Sequence, residues 1–473
     1  MPFAEFGAKG LALAAAALAA AIVLAACSSV PVPVVTSISP DHALSTAAGF
    51  TLAVRGANFQ SNSVILFNGS AKTTTFVGAG ELDCPITAAD LAVTAAAGGS
   101  QSVSVPVYVS TPSAGFSAQL GFRIDIYPAF AAARKIAGAS RAAYDTIRPQ
   151  IAFAGTSRLG AIWRDQQSLY FSASDDAGAS WSAAAALNTG ASSFYRFSVA
   201  AGRTAGQLFV AWEDVATVTL IASADGGRTW GAPAALNDPA VAKAQNPGLF
   251  VDAAGALIVA YLSQAPAGGL PYAVVLLKSA DGGRTFAPLG TIPWNTYFTG
   301  DRSPRLAADA AGVLYLVFPS DFGTRYQTDE MAFSTNGGAA WSTPSNVNLV
   351  ASALATDSLN GVLLAGSNMY LPYTYKLTFK RSADRGATWT SVDFADTNFT
   401  FPGLSVNAFG STDLVWTGKF ARSYDRGATW SDTVGFTDDA TADNPAFVED
   451  ASGRIFVVWW SGQGAVYCSA SLK

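Results

Sequence analysis

The chain reads as an all-β protein, a small β-sandwich followed by a β-propeller, and three observations carry that reading. An octapeptide of the pattern Ser-x-Asp-x-Gly-x-Thr-Trp recurs six times along the C-terminal part of the sequence. Aromatic residues that close apolar runs, Trp163, Trp212, Tyr261, Phe318, Tyr373, Trp416 and Trp459, stand between 43 residues (Trp416 to Trp459) and 57 residues (Tyr261 to Phe318) apart. That is the length of one four-stranded blade. Residues 31 to 112 alternate apolar and polar positions in short runs separated by Gly, Asn and Ser, the signal of strands with one buried face.

The octapeptides run Ser174 to Trp181, Ser223 to Trp230, Ser279 to Phe286, Ser334 to Trp341, Ser382 to Trp389 and Ser423 to Trp430. Their third position is Asp176, Asp225, Asp281, Asp384 or Asp425, with Asn336 in the fourth copy. Such a side chain accepts hydrogen bonds from the N–H groups of a tight turn, and the glycine supplies a φ that other residues resist. The terminal Trp is placed to anchor the turn between neighbouring sheets. In these residues the chain resembles the Asp-box, or bacterial neuraminidase repeat, family, whose propellers include the sialidases. The resemblance implies a propeller whose boxes lie on the face opposite the ligand, so all six are expected to hold blades together and take no part in chemistry.

The repeating unit is longer than the octapeptide. A short strand opens it, often after a proline (Pro149, Pro247, Pro304, Pro402, Pro445); a second ends in the aromatic, a third runs into the octapeptide and a fourth follows. Seven such units are counted, so seven blades are preferred to six; the sialidases have six. The seventh unit reaches Ser469 to Lys473 where its own fourth strand is due, and Phe122 to Tyr127 is expected to supply that strand and close the ring.

Residues 1–26 carry one lysine, Lys9, and an apolar run from Leu11 to Ala26, which reads as an export signal. Leu24-Ala25-Ala26-Cys27 resembles the bacterial lipobox, implying a lipid on Cys27 that anchors the protein in the cell envelope, with Ser28 pointing to the outer membrane or cell surface. After a linker at 27–30, Ile38-Ser39-Pro40, Gly49 to Phe59 and Val64 to Gly69 resemble the IPT/TIG immunoglobulin-like family, implying a spacer module over 31–112, with the propeller over 113–473.

The sole histidine is His42, which removes metal-ligand clusters and Ser-His-Asp or Cys-His catalysis from consideration; no cofactor is indicated. A net charge of −5 provides no basic field for nucleic acid. Cys84 and Cys468 either form one disulfide or remain two buried thiols. The chain is expected to be a monomer.

Because the octapeptides follow third strands, the starts of first strands and the links from second to third strands share the other face, where function should gather. Arg164, Asp165 and Glu213 end second strands there, with Arg325 and Tyr373 beyond later ones; Arg148, Arg196, Arg302 and Arg305 stand at first-strand starts. Ile151, Phe197, Leu249, Leu306, Leu404 and Phe447 share one phase and are expected to pack between blades, leaving Gln150, Arg196, Gly248, Arg305, Gly403 and Ala446 to face the channel. Such arginines need a carboxylate partner or an anionic ligand. Sialidases hold a sugar carboxylate with three arginines, protonate the leaving group with an Asp and use a Tyr activated by a Glu. By that resemblance Arg148 is the first arginine, Asp165 the acid, Arg196 or Arg305 a second arginine, Glu213 the activating acid, and Tyr373 or Tyr375 the nucleophile; no third arginine is assigned. The preferred function is binding of a glycan or cell-envelope partner. An exo-sialidase or related glycoside hydrolase is the first alternative, and a structural or assembly role the second.

Overall fold

The computed structural model describes residues 30–45, 47–93, 102–112, 114–126, 130–139, 148–155, 157–165, 168–188, 196–236, 243–264, 272–294, 302–321, 327–370, 374–396, 401–407 and 410–472. Residues 1–26 and Cys27 therefore lie outside them, as do Arg325 and Tyr373. The chain divides into two compact units, Met1–Tyr127 and Pro128–Lys473.

The first unit is an immunoglobulin-like sandwich. One sheet orders Val34–Ser39, Phe50–Ala57, Glu81–Ile86 and Thr75–Gly78; the other is built on Leu120–Asp125, Ser102–Thr111 and Val64–Phe67. Alternation puts Leu52 and Val54, Leu82 and Ile86, Val105 and Val107, and Phe122 and Ile124 into one core, each such side chain contributing about 1.5–3 kcal/mol. Leu120–Asp125 pairs antiparallel with Ser102–Thr111 and parallel with His42–Leu44. This corrects the expectation for Phe122: the segment is a core strand of the sandwich, not the strand that closes the propeller. Cys84 is a free thiol in this core, pushed up to about 11 by burial.

The second unit is a propeller of seven four-stranded antiparallel sheets among the described residues. The innermost strands of blades 1 to 7 are Gln150–Phe153, Phe197–Ala201, Lys243–Val251, Arg305–Ala308, Val350–Thr356, Gly403–Val406 and Ala442–Glu449. Each touches the next around the ring, and the seventh touches the first. Blade 7 continues with Ile455–Ser461 and Ala465–Ala470, and its outermost strand is Arg134–Gly138, paired antiparallel with Ala465–Ala470. The two ends of the unit thus close the ring within one sheet, and Arg134–Gly138 covers the edge that Ala465–Ala470 would otherwise present.

The core of the propeller lies in the seams. Leu159 and Trp163 of blade 1 pack with Phe456 and Val458 of blade 7, while Ile162 and Phe171 of blade 1 pack with Val210 and Trp212 of blade 2. Cys468, a free thiol in the first of these clusters, is pushed up to about 12 by burial.

Every octapeptide begins on the last residue of a third strand. In the second, Ser223 Oγ donates to Asp225 Oδ1 at 2.8 Å, Gly227 N donates to Ser223 Oγ at 2.8 Å, Thr229 N donates to Asp225 Oδ1 at 2.9 Å and Thr229 Oγ1 donates to Asp225 Oδ2 at 2.5 Å. The same set recurs around Asp176, Asp281, Asp384 and Asp425. In the fourth copy Asn336 Oδ1 accepts from Ser334 Oγ and Ala340 N, both at 2.9 Å, so an amide oxygen replaces the carboxylate. The glycine is required by packing as well as by φ: a Cβ at Gly227 would fall 2.2 Å from Phe171 of the preceding blade. A second turn repeat escaped the sequence reading. Asp252, Asp309, Asp357, Asn407 and Asp450 each accept an N–H from four residues on, in the first hairpin of blades 3 to 7.

Candidate functional site

Antiparallel connectivity assigns the two ends of the propeller. The octapeptides and the first hairpins share one end; first-strand starts and the links from second to third strands share the other. At this second end a cavity of about 450 Å³ lies on the ring axis, and all seven innermost strands contribute to its wall, from Gln150 in blade 1 to Ala446 in blade 7.

Alternation does not divide this wall as expected. Gln150 and Ile151 both line it, as do Arg305 and Leu306, because a blade stands radially and both faces of its inner strand look toward neighbouring blades. Gln150 illustrates this: its side chain donates to Phe197 O and accepts from Val199 N of blade 2, each at 3.0 Å. Gly248 is small because the blade 4 entry packs on it; a Cβ there would sit 2.0 Å from Pro304 O.

Three entries carry residues with positive φ immediately before proline, Asn246 (54°), Phe401 (30°) and Asn444 (51°). The inner strands of blades 3 and 7 shift register here, between Gln245 and Gly248 and between Asp443 and Ala446, and such bulges re-aim side chains. Of the pre-proline residues, Arg148, Ser303, Phe401 and Asn444 line the cavity.

Arg148, Arg164, Arg196 and Arg305 contribute to the wall, and no carboxylate does among the described residues. Arg148 is held well below the usual guanidinium range, first by burial and then by Arg196, Arg305 and Arg302, with Asp443 opposing. Burial likewise lowers Arg305 to about 10, Arg302 adding to the effect and Asp329 opposing it. Arg305 Nη1 donates to Ser303 O at 3.2 Å, which spends one of a guanidinium's five N–H donors. The Arg148 guanidinium stacks on the Phe401 ring, 3.2 Å from its centroid.

Arg302 stands apart from this group. Only 4% exposed, it is ion-paired with the buried Asp329, whose Oδ2 also accepts Ala351 N of blade 5 at 2.9 Å. It therefore ties blade 4 to blade 5 and does not line the cavity.

The expected acids are placed differently from the arginines. Glu213, 3% exposed, accepts from Asn246 N at 3.3 Å and lies 3.8 Å from Lys243 Nζ, so it braces blade 2 against blade 3. Burial raises its carboxyl against the pull of Lys243. Arg164 and Asp165 are consecutive in Leu159–Asp165 and take opposite faces of the sheet; Arg164 lines the cavity and Asp165 does not. Tyr375 is half exposed and lies outside the wall. Phe401 was not singled out from the sequence, although Phe401-Pro402 repeats the placement of Arg148-Pro149 before a first strand.

Comparison with solved structures finds propellers of low identity. An α-L-arabinanase of Penicillium chrysogenum complexed with arabinobiose is 15% identical, with 72% of this chain and 98% of that chain covered and a TM-score of 0.46. The NanB sialidase of Streptococcus pneumoniae is 9% identical over 89% of this chain and 83% of its own, with a TM-score of 0.47. A Hadza microbial sialidase is 13% identical over 94% and 93%, with a TM-score of 0.45. No curated protein matches the chain. Residues 33–124 match the IPT/TIG domain family, which carries the first unit through Leu120–Asp125.

Proposed function

We propose that the propeller binds the acidic group of a glycan or cell-envelope partner in its axial cavity, on a protein exported and lipid-anchored through Cys27. One observation carries the binding reading: four arginines line a cavity whose described wall holds no carboxylate. Like charges held together at a cost in free energy favour a ligand of opposite charge, and charge-assisted bonds from guanidinium to carboxylate or phosphate are among the strong ones.

A hydrolase reading draws support from Arg148, Arg196 and Arg305 sharing one wall, which supplies the third arginine that the motif alone left unassigned. Binding is preferred because neither Asp165 nor Glu213 lines that wall and Glu213 is engaged between blades.

Calorimetric titration of the protein with D-galacturonate and N-acetylneuraminate, beside D-galactose, tests the proposal. Binding of an acid sugar that the neutral sugar does not share, lost in Arg305→Ala, is the expected result; equal behaviour of acid and neutral sugars would end the anion reading. Turnover of a fluorogenic sialoside that is lost in Arg148→Ala would move the assignment to the hydrolase.

A further inference from the structure

We infer that Ser352 is a specificity-determining residue of this site: its hydroxyl reads a hydroxyl group of the ligand beside the acidic group held by Arg305, so the cavity selects a hydroxylated sugar acid over a bare carboxylate. The inference rests on the anion-binding reading above. It begins in the register of blade 5. Ala351 pairs with Gly366 and Ala353 with Ala365, which leaves Ser352 as the extra residue of a β-bulge. On a regular strand residues two apart share a face. Here Ala351 packs in the seam with Val317 of blade 4, and Ala353 in the seam with Leu414 and Trp416 of blade 6. Ser352, at this reversal of faces, belongs to neither cluster and lines the axial cavity. Gly366 admits the bulge, since a Cβ there would stand 2.1 Å from Val350 O.

Arg305 reaches the cavity at the same level on the neighbouring strand. Thr356 Oγ1 donates to Ala308 O at 2.8 Å; Arg305 lies three residues back from that bond on one strand, and Ser352, itself the extra residue, four back on the other. At the cavity end Asp329 locks the two strands again, paired with Arg302 ahead of Arg305 and accepting Ala351 N at 2.9 Å just ahead of Ser352. Among the described residues Arg305 spends one donor, on Ser303 O, and the Ser352 hydroxyl makes no hydrogen bond. A guanidinium alone takes any carboxylate. A hydroxyl beside it, which both donates and accepts, adds a contact that only a hydroxylated ligand returns, and a site built on such a contact rejects the analogue that lacks it.

The test is calorimetric titration of the wild type and Ser352→Ala with D-galacturonate, N-acetylneuraminate, D-galactose and cyclohexanecarboxylate, a carboxylate on a ring without hydroxyls, with a melting curve for each protein. The wild type is expected to bind an acid sugar more tightly than cyclohexanecarboxylate. Ser352→Ala should weaken the acid sugar roughly fivefold while leaving cyclohexanecarboxylate and the melting temperature unchanged. A wild type that takes cyclohexanecarboxylate at least as tightly, an acid-sugar affinity that Ser352→Ala leaves intact, or a loss shared equally by cyclohexanecarboxylate would overturn the inference while leaving the anion site standing. A wild type that binds none of the three carboxylates, or takes D-galactose as readily as the acid sugars, would overturn both.

Discussion

The two ends of the propeller are made by the same strands yet handle charge in opposite ways. At the octapeptide end each acid is satisfied by its own turn: Asp176, Asp225 and Asp384 are held at about 2, chiefly by the hydroxyl of the residue four positions on. At the cavity end the arginines come from blades 1, 2 and 4, and burial together with their like charges makes Arg148 and Arg305 less basic. The octapeptide end repeats because every bond closes within eight residues, so each copy is an independent solution of one local problem. The cavity end does not repeat, and on the proposed reading it has no reason to, because a ligand needs different groups from different blades aimed at one point. Regularity marks the scaffold, and departure from it marks the proposed site.

The largest expected effects come from the buried ion pairs, one at each end. Arg422 is bound bidentately by Asp413 at 2.5 and 2.6 Å near the octapeptides, and Arg302 is paired with Asp329 near the cavity. Asp413→Ala and Asp329→Ala each remove a hydrogen-bonded carboxylate from a buried guanidinium and should cost about 3–5 kcal/mol in chemical denaturation. Only Asp329→Ala should also alter acid-sugar affinity, and equal effects of the two on binding would erase the distinction between the ends.

Next comes Arg305→Met. Loss of a charge-assisted bond of about 1.5–3 kcal/mol should weaken acid-sugar binding at least tenfold, while relief of like-charge crowding raises the melting temperature. Arg284→Met in the third octapeptide should leave affinity unchanged. A melting temperature that falls in Arg305→Met would mean that Arg305 is structural.

A smaller effect is expected within the scaffold itself. Trp230 packs edge-on against Phe171, ring centroids 5.4 Å apart, and Trp430 against Phe379 at 5.0 Å, but blade 3 offers Phe286 beside Leu220. That seam holds a cavity of about 590 Å³ lined by Leu220, Trp230 and Gly283. Leu220→Phe should fill part of it and stabilise the fold by about 1 kcal/mol, with binding untouched; a drop in stability would show that the seam cannot accept the ring.

The gentlest test is pH. Carboxyls held at about 2 in the folded protein, against an ordinary value of 3.8, bind fewer protons than in the unfolded chain. Their contribution is therefore complete above about pH 4 and lost as pH falls through about 2. A triple variant Asp176→Asn, Asp225→Asn, Asp384→Asn, which copies the natural amide of Asn336, should flatten melting temperature against pH across that window. An unaltered slope would place the acid sensitivity elsewhere.

Much of this was legible in the residues. The octapeptides and the closing aromatics specify seven blades because both are local, and the alternation of residues 31 to 112 specifies a sandwich. Phe122 to Tyr127 was misassigned because its alternation suits a strand in either unit; Arg134–Gly138, with two exposed basic residues and little apolar surface, announces itself poorly. Arg148, Arg164, Arg196 and Arg305, which line the cavity, were singled out because charge at a first-strand start or a second-strand end is conspicuous. Phe401 was not, since an aromatic residue beside a proline looks like core until the arginine it faces is known.

By itself, then, the sequence determined the units, the blade repeat and the turns, all set by periodicity and by hydrogen bonds spanning a few residues. Only the tertiary structure decided which strand closes the ring, which carboxylates are consumed between blades, and which arginines share one wall. Those outcomes depend on radial blades meeting at an axis, where residues as distant as Arg148 and Phe401 become neighbours through the geometry of the whole ring.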